Sequence, residues 1–158
     1  MTDKHIKKII IVGGGTAGYM AAAALTKVLS VQRCEIKLIE SEQIGTVGVG
    51  EATIPQIQLY NKLLGLNEDD FVRRTKATFK LAIQFKDWDK IGHSYYHAFG
   101  DVGKDMEGVH FYHYWLKMRQ LGKAGGIDDY TLTSSACNQQ KFMRSVDAGN
   151  SPLSNIAY

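Results

Sequence analysis

Ile9 to Gly18 reads IIIVGGGTAG. The β-branched run, extended back to Ile6 and closed by glycine after Val12, has the pattern of a buried parallel strand. Thr16 to Val31 follows, rich in alanine, and reads as a helix with Leu25, Val28 and Leu29 on one face. Glu35 to Glu40, EIKLIE, alternates into a second strand. Strand, glycine turn, helix and strand together open a doubly wound α/β fold.

Gly13, Gly15 and Gly18 form G-x-G-x-x-G between that strand and that helix. The first glycine makes the tight turn, the second lets backbone amides approach a pyrophosphate, and the third lets the helix pack on the strand. The positive end of the helix then holds the phosphates. Glu40 closes the second strand, where an acid bonds a ribose hydroxyl and disfavours a 2′-phosphate. The candidate cofactor-binding set is therefore Gly13, Gly14, Gly15, Thr16, Ala17, Gly18, Glu40 and Ser41. It does not by itself separate NAD from FAD.

The bulk properties narrow the partners. A formal net charge of +3, with basic and acidic residues interspersed, gives no nucleic-acid patch and no polybasic membrane anchor. Cys34 and Cys137 are far apart, nothing in the sequence pairs them, and the basic-apolar start is better explained by strand, turn and helix than by a signal peptide. A cytoplasmic setting is expected. A doubly wound sheet needs roughly five or six parallel strands. Only two are legible at its centre, so the chain reads as the N-terminal part of a longer protein, with the Rossmann-like fold incomplete.

A second glycine-rich stretch, GTVGVGEATIP, spans Gly45 to Pro55. So many glycines imply a backbone passing close to something. Pro55 suits the first turn of a helix, with Thr53 as its cap and Ile57, Tyr60, Leu63 and Leu64 as its apolar stripe. Gly65 ends it, and Asn67 caps a short helix reaching about Thr75. Phe79 to Trp88, FKLAIQFKDW, alternates as a strand, SYYHAFG is strand or extended loop, and FYHYWLKMRQLG is helical up to Gly122. From Lys123 the chain is rich in Gly, Ser, Asn and Asp, with no long periodic run. His110 and His113 lack a surrounding ligand pattern, so no metal is expected.

The stretch GVGEATIP, Gly48 to Pro55, resembles a motif of flavin-dependent tryptophan halogenases. So do IVGGGTAGYMAAAAL and LIES before it, and FKLAIQF, YYHAFG and HYWLKMRQLG after it, in the same order as far as Gly122. The resemblance implies a Rossmann-like FAD-binding fold of the flavin monooxygenase and halogenase type. It divides the chain into a βαβ dinucleotide unit (1–44), a flavin strap with a substrate-side segment (45–122) and an irregular tail (123–158). The strap would run between flavin and substrate, adding Gly48, Gly50, Glu51 and Ala52 to the cofactor-binding set.

The same resemblance implies a reaction. Reduced FAD from a separate flavin reductase, oxygen and halide (chloride or bromide) give hypohalous acid, which travels to an active-site lysine beside an electron-rich arene of the tryptophan or indole type. The matching lysine is Lys80, acting as an ammonium that polarises the acid or as an amine that forms a haloamine. Alternation alone would make Lys80 an ordinary solvent-facing strand residue. His97 and Phe99 match the residues that sandwich the substrate ring. Tyr19 stands where many members have tryptophan, and the family's tryptophan-rich motif and partner glutamate are not among these residues. A homodimer of the full-length protein is compatible with the resemblance. The rival readings are an FAD-dependent aromatic monooxygenase, in which Lys80 has no special role, and a non-catalytic fragment that keeps only nucleotide-binding elements.

Overall fold

A computed structural model describes residues 5–29, 32–45, 50–144 and 156–158, and the chain divides into two compact units. The first comprises Met1–Ala52 and Gln56–Lys76. In it β1 (Lys8–Val12) lies parallel to β2 (Glu35–Ile39), in a register running from Lys8 opposite Glu35 to Val12 opposite Ile39. The helix α1 (Thr16–Val28) connects them and packs on both strands. This is the βαβ unit that the glycine turn and the two apolar runs predict.

Two details differ from expectation. Although β1 is apolar along both faces, Ile10 and Val12 are exposed, while Ile9 and Ile11 are half-buried on the other side. Burial alternates because α1 covers one face of the strand pair. The helix also ends early: Leu29 is extended, and Val28 is 64% exposed rather than part of the inward face.

Later in the sequence, α2 (Gln56–Leu64) and α3 (Glu68–Thr75) complete this unit. Tyr60 donates its hydroxyl to the Met20 carbonyl at 2.9 Å, fixing α2 to α1. Gly65 takes φ +74° where α2 stops. The Asn67 side chain accepts from the Asp70 amide at 3.0 Å, so the predicted cap forms. Acids at the start of α3 and arginines at its end complement its dipole.

The second unit comprises Thr53–Pro55 and Ala77–Tyr158. Here β3 (Ala82–Lys86) and β4 (Ser94–Ala98) form an antiparallel hairpin, with Ala82 opposite Ala98 and Lys86 opposite Ser94. The hairpin is shorter than the alternation from Phe79 to Trp88 suggests. Asp87, at φ +56°, turns the chain out of β3, while Lys80 pairs with Ala157 instead of with β4. The helix α4 (Phe111–Gln120) stops before Gly122, which has φ +69°.

The tail holds elements that its composition does not announce. A 3-10 turn over Ile127–Tyr130 leads into α5 (Leu132–Asn138). Its sequence, LTSSACN, has little helix propensity, so packing holds it. Ser134 is fully buried and donates to Asp128 at 3.1 Å, and Ala136 packs with Leu81 and Ile156 in the core of the unit. Cys34 and Cys137 are both free thiols, and burial raises the pKa of Cys137. Among the described residues no helix is long and apolar enough to cross a membrane.

Candidate functional site

The glycine turn sits at the C-terminal end of β1, and its three glycines have separate steric reasons. Gly13 has φ +118°, a conformation that side chains rarely adopt. A β-carbon on Gly18 would stand 1.9 Å from the Gly13 carbonyl oxygen, so only glycine lets α1 approach the turn this closely. Gly15 faces open space and begins α1 without a side-chain cap. The backbone there is left accessible to an anion. Gly14 has its own constraint: a β-carbon would lie 1.9 Å from a carboxylate oxygen of Glu40.

Glu40 follows the last residue of β2 and is held in place by Tyr19, whose hydroxyl lies 3.1 Å from each of its carboxylate oxygens. The Tyr19 phenol accordingly has a pKa raised above the usual tyrosine value, first by this hydrogen bond and then by the charge of Glu40. Across the turn the Thr16 hydroxyl donates to Glu51, at 3.1 and 3.2 Å from its two oxygens. The first turn of α1 contains no acid, so Glu51 brings a carboxylate to that helix end from 35 residues away. Glu51 is thus engaged by hydrogen bonding to the start of α1.

These groups line one cleft of about 790 Å³, with Gly13, Gly14, Gly15, Ser41 and Gly45 along its wall. The Ser41 hydroxyl accepts from the Gln43 amide at 3.2 Å and shapes the turn beyond Glu40. Gly50 faces open space, and Ala17 and Ala52 are exposed. Gly48 lies outside the described residues. Tyr19 and Ile44 also line this cleft. Tyr19 could have been found from its place one turn after Gly15, whereas nothing local marks Ile44.

In the second unit Lys80 is half-buried, not solvent-facing. Its Nζ donates to the Thr53 carbonyl at 3.1 Å and lies 5.4 Å from the centroid of the Phe99 ring. A cation over an aromatic face is attracted by the ring quadrupole. Phe99 is only 6% exposed, and its amide donates to the Leu81 carbonyl, carrying the hairpin pairing one residue past β4. Lys80 and Phe99 are therefore brought together. His97, opposite Ile83 in the hairpin, is exposed.

Thr53 corrects an expectation. It does not serve as the cap of α2. Its hydroxyl donates to the Tyr158 carbonyl at 2.9 Å and accepts from the Tyr158 amide at 3.0 Å. A partner 105 residues away leaves no trace in the local sequence.

Residues 8–158 match the tryptophan halogenase family. The match runs through the tail, past Gly122 where the recognisable motifs stop. The tryptophan 6-halogenase of Streptomyces toxytricini is 39% identical over 153 residues, covering 96% of this chain and 27% of that protein. The tryptophan 7-halogenase of Lentzea aerocolonigenes is 38% identical, covering 93% of this chain and 29% of that protein. Among solved structures, a flavin-dependent halogenase from Xanthomonas campestris superposes with a TM-score of 0.80 at 41% identity, covering 96% of this chain and 30% of that one. The chain thus spans under a third of the length of these relatives.

Proposed function

The chain belongs to the tryptophan halogenase family, and from that premise we propose that the full-length protein halogenates an electron-rich arene of the indole type. FAD, reduced by a separate flavin reductase, would supply the reducing equivalents with which oxygen is activated to oxidise chloride or bromide to hypohalous acid. The glycine turn suits such a cofactor: Gly15 leaves room beside the start of α1, and Glu40 is held at the turn by Tyr19. In this reading the amides from Gly13 to Gly18 would hold the pyrophosphate and Glu40 would take a ribose hydroxyl. Gly48, Gly50, Glu51 and Ala52 would border the flavin.

The observation that carries the reading is the setting of Lys80. An ammonium has three donors and no acceptor. Thr53 takes one, so two remain to hydrogen-bond hypohalous acid and draw electron density from its oxygen. The arene then attacks the halogen, hydroxide leaves as water on receiving a proton, and loss of the ring proton restores aromaticity. Phe99 and His97 would orient the ring by stacking, which forms no bond at the reacting carbon. We place the protein in the cytoplasm, where a soluble reductase can reach it.

The test supplies the full-length protein with a flavin reductase, NADH, FAD, oxygen, bromide and either tryptophan or indole. A product heavier by bromine minus hydrogen, absent without bromide, is expected. A hydroxylated product that forms regardless of halide would replace this reading with the monooxygenase one.

A further inference from the structure

We propose that Thr53 is a positioning residue for Lys80, locking the strap end so that its carbonyl fixes the lysine ammonium; this rests on the role proposed above for Lys80. Three hydrogen bonds join Thr53 to one residue. Its amide donates to the Tyr158 carbonyl at 2.8 Å, its hydroxyl donates to the same oxygen at 2.9 Å, and the Tyr158 amide donates back to the hydroxyl at 3.0 Å. The Thr53 carbonyl is left to accept from Lys80 Nζ at 3.1 Å.

The main chain of Lys80 is tied to the same short segment. Its amide donates to the Ala157 carbonyl at 2.8 Å, and the Ala157 amide donates back at 2.9 Å. Ile156, Ala157 and Tyr158 are all buried. Residues 156–158 thus hold Lys80 twice, directly at its backbone and through Thr53 at its charged end. A lysine has four rotatable side-chain bonds, and the ammonium is fixed only if what it bonds to is fixed.

The chemistry singles out the hydroxyl. A hydroxyl can donate and accept at once, which this clamp requires. Valine has nearly the same shape and can do neither, whereas serine keeps both functions.

The experiment compares Thr53→Val and Thr53→Ser in the full-length protein by two measurements. One is halogenated product formed per reduced flavin consumed. The other needs no turnover: the rate at which Lys80 is acylated by an amine-reactive ester, read by peptide mass spectrometry. The expected result is a fall in product per flavin of about tenfold to a hundredfold in Thr53→Val, with faster Lys80 acylation, and both values near wild type in Thr53→Ser. Should Thr53→Val fold poorly, Thr53→Ala provides the same contrast with Thr53→Ser. An unchanged product ratio and acylation rate in the valine variant, or equal losses in the serine one, would overturn the inference. Lys80→Ala is the control for the reading beneath it: if that variant still halogenates, the role of Lys80 falls, while the acylation rates still decide whether Thr53 positions it.

Discussion

Gly18 lies so close to Gly13 that a β-carbon built on it would stand 1.9 Å from the Gly13 carbonyl oxygen. The contact is with backbone, which cannot swing aside, so the start of α1 must move if anything larger is placed there. Gly15, three residues earlier, has nothing within 4 Å of the same construction.

The two glycines should therefore fail differently. Gly18→Ala overpacks the turn and should destabilise the protein by about 1–3 kcal/mol. Gly15→Ala should leave the melting temperature nearly unchanged and still weaken FAD binding, because its methyl would enter the space proposed for the cofactor. Thermal unfolding without flavin, paired with flavin titration, separates them. Equal loss of stability in both variants would contradict the assignment.

Tyr19 and Glu40 make a prediction about pH. The pKa of the Tyr19 phenol is raised, chiefly by its hydrogen bond to Glu40. A raised value means that the bond's contribution is complete below the ordinary tyrosine range and is lost as pH rises through the folded-state value. Ultraviolet difference titration of wild type against Tyr19→Phe should show one tyrosine ionising above about pH 10. The same variant leaves Glu40 without this partner and should weaken FAD binding several-fold.

Asp105 gives a prediction of opposite sign. It accepts from the Phe111 amide at the start of α4 and lies 2.8 Å from His110 Nδ1. These bonds, the amide first, hold its carboxyl below the usual aspartate range. Its contribution should be present above about pH 4 and disappear as pH falls through the lower folded-state value. Asp105→Asn should lower the unfolding temperature near neutrality, and the gap from wild type should close in acid. A gap that widens in acid would reverse the assignment.

Lys80 is the residue on which the proposed chemistry turns. Lys80→Ala should reduce halogenation by about 10²–10⁴-fold or more, while flavin oxidation by oxygen continues. Rapid-mixing absorbance follows the flavin, and product mass follows the halogen. Bromination near the wild-type rate would remove Lys80 from the mechanism.

The βαβ opening, the glycine turn, the end of α2 at Gly65 and the Asn67 cap are all legible in the amino-acid sequence. Each depends on groups a few residues apart: a β-branched run, a glycine free to take positive φ, a side chain within reach of an amide three positions on. Family motifs, read residue by residue, also marked Lys80 and Phe99, which no periodicity would have chosen. What those residues touch is set by the folded chain. The local context of Thr53 suits a cap, but its hydroxyl is taken by Tyr158, far along the chain. Lys80 sits in an alternating stretch that would leave it in water, yet its pairing with Ala157 and the Thr53 carbonyl draws it inward. The helix α5 is held by the burial of Ser134 and Ala136, not by its own weak propensity. Local sterics and short-range hydrogen bonds are written in neighbouring residues, whereas pairings between distant segments are set by how the whole chain closes on its core.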